Sequence, residues 1–228
     1  MLFLVYFPKF ASKVQEIGMN MKFEKKQILY ALFFPSLFII ILWIIFVVEK
    51  VTGAYWSFLG IYPGKISGLW GIITSPLIHA DVKHLFSNSI PLLVLCWCLF
   101  YFYKDLGYAV FPVLWLLSGV FTWIFGRDSW HIGASGLTYS MTFFLFFSGV
   151  FRRYIPLMAI SLMVVLLYGS TVWGMFPVAE IVDPAISWEG HLSGAISGFL
   201  CALIFMKDGP QNPEPEDEME VEEEDPTP

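Results

Sequence analysis

Stretches of about twenty mostly apolar residues recur along this 228-residue chain, and that recurrence leaves few folds open. A helix of that length crosses a hydrocarbon core of roughly 30 Å. It also satisfies its own peptide groups where no water can. With 57% hydrophobic residues, 14% charged residues and a mean hydropathy of +0.68, the composition agrees. The expected fold class is an all-α membrane protein, a bundle of six transmembrane helices. Its spans are read at about 28–48, 85–103, 107–126, 135–150, 155–175 and 188–206.

The connection 49–84 is rich in Gly, Pro, Trp and Tyr and is too broken to span, yet too apolar to sit free in water. It reads as a long half-buried outer loop between spans one and two. Three regions follow: a cytoplasmic N-terminal segment 1–27, the membrane domain 28–206, and a tail 207–228. The tail runs Glu-Pro-Glu-Asp-Glu-Met-Glu-Val-Glu-Glu-Glu-Asp over 214–225, too charged to fold. It accounts for the net charge of −6; without it the remainder is slightly basic. Residues 1–18 read either as an amphipathic extension or as an over-extended start before Met19 or Met21. No small-residue cleavage site follows the first apolar run, so a removed signal peptide is not expected.

Three cysteines, Cys96, Cys98 and Cys201, read as lipid-facing, small apolar packing residues; their odd number argues against a disulfide framework. Four histidines (His79, His84, His131, His191) are too few and too dispersed to suggest a metal site, and no cofactor is expected.

Lysine and arginine set the orientation. Nine of the thirteen lie on the side of the N-terminus (Lys9, Lys13, Lys22, Lys25, Lys26, Lys104, Arg152, Arg153, Lys207) and four on the other (Lys50, Lys65, Lys83, Arg127). The positive-inside rule then puts both termini in the cytoplasm. Spans two, four and six consequently begin at the outer face. His84 and Asn88 open span two, Ser135 opens span four, and His191 opens span six. Four polar residues spread over more than a hundred positions therefore fall at similar depth, although nothing in the hydropathy requires it. Polar groups at membrane depth are functional candidates by default.

Serine becomes a nucleophile when a base takes its proton, and histidine is the usual base. Gly133-Ala134-Ser135-Gly136 lets the backbone turn sharply and approach a carbonyl closely. The first turn of span four also offers free N–H groups that suit an oxyanion. Gly190, Gly194 and Gly198 form a small-residue ladder on span six, and Gly136 with Ser140 forms another on span four. Packing of those faces would bring His191 to Ser135. His84 and Asn88, four apart, share a helix face and carry donors fit for an oxyanion hole. Tyr139 is placed to stack beneath His191. His79 and Asp81 read as loop-structuring residues. Glu189, two residues from His191, falls on another helix face, so catalysis is expected to need no third acid.

These residues resemble the rhomboid family of intramembrane serine proteases. The resemblance covers about residues 50–205, through His84-Leu85-Phe86-Ser87-Asn88, Gly133-Ala134-Ser135-Gly136 with Tyr139, and Gly190-His191 with Gly194. It implies Ser135 as nucleophile, His191 as general base, and an oxyanion hole from His84, Asn88 and the Ser135 N–H. Gly133, Gly136, Tyr139, Gly190 and Gly194 are implied as supporting residues. Where many members carry Ala-His at the base, this chain has Gly190-His191. Where some bacterial members have Trp-Arg in the outer loop, the nearest element is Trp70-Gly71, which points to different loop anchoring.

The implied activity is serine endopeptidase cleavage in or near the transmembrane segment of a membrane protein. The partners would be membrane-protein substrates and the bilayer, with no nucleic acid, and the location a bacterial inner membrane. The alternative is a non-catalytic rhomboid-like protein that binds membrane clients; that reading predicts loss of Ser135 or His191, and both are present. A transporter would show charged residues in mid-span or repeated halves, and neither is seen. An acyl-transfer enzyme or esterase would share the nucleophile and be separated by substrate tests.

The lysine and arginine count makes the topology testable. Single-cysteine variants in the acidic tail and at residue 65 should label from opposite sides of sealed vesicles. Labelling of both from one side would break the orientation and, with it, the common depth of the four polar residues.

Overall fold

A computed structural model describes residues 2–153, 155–167, 173–178, 183 and 186–211. Seven α-helices occur among them: α1 (Leu2–Thr52), the single turn α2 (Gly71–Thr74), α3 (Val82–Tyr103), α4 (Asp105–Phe125), α5 (Ser135–Arg152), α6 (Ile155–Leu167) and α7 (Trp188–Ile204). Strands are absent among the described residues, and one isolated antiparallel bridge pairs Ile61 with His131.

Among the described residues, three helices are long and apolar enough to cross a membrane: the Lys25–Thr52 part of α1, α3 and α4. Their exposed side chains say which solvent they face. On α1, Ala31, Phe38, Leu42 and Phe46 are buried while Leu29, Phe33, Ile40, Ile44 and Val47 lie open. A continuous apolar face of that extent is unfavourable in water and natural in lipid. The protein is an integral membrane protein. The described parts of α5, α6 and α7 are shorter, at 18, 13 and 17 residues. Residues 168–172 of the fifth expected span and the tail beyond Gln211 lie outside the described residues.

The first span differs from its sequence reading of 28–48. α1 is one helix of 51 residues; it runs through Pro35, as membrane-spanning helices can, and ends at Gly53. That glycine adopts φ +66, the left-handed conformation that ends helices cheaply. The long connection therefore starts at Gly53, four residues later than expected, and consists of short 3-10 turns around α2. Glu49 at the end of α1 accepts the Trp56 N–H at 3.0 Å, and Lys50 Nζ donates to the Ala80 carbonyl at 3.0 Å.

Trp70 is 73% exposed. Two other tryptophans, both on α4, hold the loop instead: Trp115 Nε1 donates to the Ile72 carbonyl (3.2 Å) and Trp123 Nε1 to that of Lys65 (2.9 Å). The cysteines also correct an expectation. All three are buried in the core rather than lipid-facing, since the faces of α3 and α7 that carry them pack inward, with Cys96 against Met141.

The tightest helix pair is α5 with α7, followed by α4 with α7; α1 packs on α3, and α6 on α5. Glycine makes the first contact possible. A Cβ at Gly194 would run into the Gly136 carbonyl oxygen, and one at Gly198 into that of Ser140. Both ladders read from the sequence therefore face each other, backbone against backbone. A main-chain carbonyl cannot rotate away as a flexible side chain can. Gly194→Ala should thus destabilise the fold by about 1–3 kcal/mol, as overpacked sites do, read as a lower thermal midpoint in detergent. An unchanged midpoint would mean that α5 and α7 are not in backbone contact.

Candidate active site

Ser135 is the first residue of α5, and His191 lies in the first turn of α7. Their side chains meet: Ser135 Oγ lies 2.8 Å from His191 Nε2. The other ring nitrogen, Nδ1, is 2.8 Å from the Gly174 carbonyl oxygen. A carbonyl can only accept, so Nδ1 carries the hydrogen and Nε2 presents its lone pair to the serine hydroxyl. That is the tautomer a base must have to take a proton from Ser135. Tyr139, one turn along α5, stacks on the imidazole with ring centroids 4.4 Å apart and planes 11° from parallel.

Gly133 precedes α5 at φ +106, a conformation that strains any residue with a Cβ. Its N–H donates to the Ser75 carbonyl at 2.9 Å. A Cβ there would stand 2.5 Å from His84 Nε2, so the missing side chain is also what admits the His84 ring. His84 is thereby placed beside the turn that presents Ser135. Asn88, one turn deeper on α3, is buried. Its amide donates to the His84 carbonyl at 3.1 Å, which uses one of its two hydrogens. Asp81 caps α3 by accepting the His84 N–H at 2.8 Å, the structural part expected of it. His79 is buried and packs edge-on against His84 at 5.0 Å.

Gly136 and Gly190 sit where α4, α5 and α7 converge. A Cβ on Gly136 would meet Ser118 Oγ at 2.8 Å and the Gly190 carbonyl at 3.2 Å. Beside them lies a small cavity of about 30 Å³, whose polar lining includes Ser118, Thr122, His131, Ser135 and Ser187.

Sequence reasoning missed two features. One is Gly174, the partner of His191 Nδ1, which acts through its main chain and leaves no residue signal. The other is His131, whose Nδ1 lies 2.5 Å from Ser187 Oγ and Nε2 3.0 Å from the Arg127 carbonyl. Burial, the main cause, lowers the His131 pKa below its ordinary value near 6.5, so the neutral ring is favoured. Glu189 is buried and does not orient His191; it faces Arg127, with Oε2 3.5 Å from Nη1. No group of three or more His, Cys, Asp or Glu able to hold a metal occurs among the described residues.

Comparison with known proteins agrees with the geometry in family and says less about activity. The family model described as Rhomboid domain matches residues 66–208. An uncharacterized protein of Mycobacterium tuberculosis is 35% identical over 173 residues, covering 73% of this chain and 72% of its own. One from Mycobacterium leprae is 34% identical over 174 residues, covering 73% and 68%. YdcA of Bacillus subtilis, whose name carries a provisional rhomboid-protease assignment, is 26% identical over 172 residues, covering 72% and 82%.

The Gly133 geometry can be separated into its two parts. Gly133→Ala should lower the thermal midpoint through both backbone strain, about 1–3 kcal/mol, and collision with His84. Adding His84→Ala should recover only the collision. Full recovery would show that the positive φ carries no cost, and no recovery that the ring is not the obstacle.

Proposed function

The chain belongs to the rhomboid family, and from that premise we propose that it is an intramembrane serine endopeptidase working by a Ser135–His191 dyad. Its substrates are membrane proteins, cut in or near a transmembrane segment. The observation that carries the reading is the 2.8 Å contact between Ser135 Oγ and His191 Nε2, with Nδ1 held by a backbone carbonyl.

In this mechanism His191 Nε2 takes the Ser135 proton as Oγ attacks the scissile carbonyl, giving a tetrahedral intermediate and an imidazolium. The Gly174 carbonyl keeps the imidazole in the receptive tautomer and accepts from the imidazolium, a part otherwise given to a carboxylate. Tyr139 limits tilting of the ring. The negative oxygen is held by the Ser135 N–H, which is free at the start of α5. His84, beside Gly133, and the remaining Asn88 amide hydrogen complete the hole. The imidazolium then protonates the leaving amine, and water resolves the acyl-enzyme by the same steps. The membrane is read as a bacterial cell membrane, the domain as six spans, and both termini as cytoplasmic.

Covalent labelling by a serine-reactive phosphonate, followed by mapping of the modified peptide, tests the reading. Ser135 should be labelled in the wild-type protein, and Ser135→Ala and His191→Ala should each abolish labelling and cleavage of a membrane substrate. Asn88→Ala should lower kcat more than it raises KM. The loss should stay below the 10²–10³ typical of a sole side-chain donor, because other donors remain, at about 10–10². Absence of both labelling and cleavage in folded wild-type protein would instead favour a non-catalytic, client-binding member of the family.

A further inference from the structure

The segment preceding Ser135 and the segment preceding His191 are joined by polar ties that the dyad chemistry does not use. Ser187 is the N-cap of α7: its Oγ accepts the Gly190 N–H at 3.2 Å. Its carbonyl also accepts the N–H of His191 itself at 3.2 Å. The backbone position of His191 is therefore referenced to Ser187. Ser187 Oγ is in turn 2.5 Å from His131 Nδ1, and His131 stands four residues before Ser135.

The direction of these bonds can be assigned. His131 Nε2 lies 3.0 Å from the Arg127 carbonyl, which only accepts, so Nε2 carries the hydrogen. Nδ1 is then an acceptor, and Ser187 donates to it. One neutral tautomer thus satisfies the ring, the hydroxyl and the helix cap together. The main chain of His131 is fixed too, through the paired bonds Ile61 N–H to His131 O (2.9 Å) and His131 N–H to Ile61 O (2.8 Å). Arg127 supplies a second, parallel tie: Nη2 donates to the Ile186 carbonyl at 3.1 Å, and Nη1 faces Glu189 Oε2 at 3.5 Å.

We infer that His131 with Ser187, and Arg127 with Glu189, form a latch that holds the start of α7 against the nucleophile loop and so sets the Ser135–His191 distance. The inference rests on the protease reading above. These four are positioning residues; none touches the reacting atoms. Releasing the latch leaves both helices and the substrate-binding surface in place but lets the histidine drift from the serine. Misplacement of a reacting pair by about 1 Å is enough to cost roughly 10² in rate.

The full-length protein in detergent provides the test, read as kcat and KM on a membrane substrate and as the phosphonate labelling rate at Ser135. His131→Phe and Ser187→Ala should each lower kcat and the labelling rate by about tenfold or more, with KM within about twofold of wild type. Ser187→Thr keeps the hydroxyl and should restore most of the rate. The double variant His131→Phe with Ser187→Ala should be no slower than the worse single one, because both cut one tie. Wild-type kcat in folded His131→Phe, multiplying losses in the double variant, or no rescue by threonine would overturn the latch. Should His131→Phe fail to fold, Arg127→Gln and the Ser187 pair carry the same comparison. Failure of the wild-type protein to label at all would strike the protease reading rather than the latch.

Discussion

The approach of α7 to α5 is the constraint on which the rest depends. With glycine at 194 and 198 facing the Gly136 and Ser140 carbonyls, the two helix backbones meet without intervening side chains. In lipid, association gains nothing from burying apolar surface, so dispersion contacts and polar bonds between close helices must supply it. The same closeness brings the first turns of both helices within a side chain's reach, and the Ser135–His191 contact follows. Larger residues at these positions would separate the axes and leave a serine and a histidine each facing its own helix.

Polar groups in this protein are satisfied largely by backbone carbonyls. His191 Nδ1 uses Gly174, His131 Nε2 uses Arg127, Trp115 uses Ile72, and Trp123 uses Lys65. Such bonds bring a donor to rest without burying a compensating charge, which would be costly away from water. They also fix direction, since a carbonyl cannot donate. Both histidine tautomers follow from that asymmetry alone. For the proposed base, this means orientation without a carboxylate, so the imidazolium formed in the reaction would be stabilised only moderately and would give its proton up readily.

That preference decides what was legible in the sequence. Side chains whose partners are also side chains could be paired in advance: Ser135 with His191 and Tyr139 with the imidazole; the glycine ladders were legible too, because a missing side chain is itself a sequence signal. The helical periodicities and the apolar run lengths carry that information directly. Partners acting through their main chain could not be read, because every residue has a carbonyl; Gly174 is the plain case. His131 was visible as a histidine but not as a tie, since Ser187 lies 56 positions away and nothing local links them. Glu189 was rightly kept off His191 by helix geometry, yet its partner Arg127 depends on how the loop after α4 folds back. The extent of α1 was missed for another reason: hydropathy marks where lipid begins, and the helix continues past it until Gly53.

The far end of α7 shows that the helix is held along its whole length. Arg152, buried at the last turn of α5, donates to the carbonyls of Phe205 and Asp208 and to Tyr103 Oη, which also bonds Ser148. A guanidinium at a helix C-terminus meets both the unsatisfied carbonyls and the negative end of the helix dipole. α7 is thus tied by polar bonds at its first and last turns and by glycine contact between them. Its 17 residues span about 25 Å. Sliding by a single residue would move the histidine by about 1.5 Å along the axis. A hydrogen bond of 2.8 Å tolerates only a few tenths of an ångström before weakening. Three separate ties on one short helix therefore match the precision that the Ser135–His191 contact requires, and a helix held by its apolar face alone would not supply it.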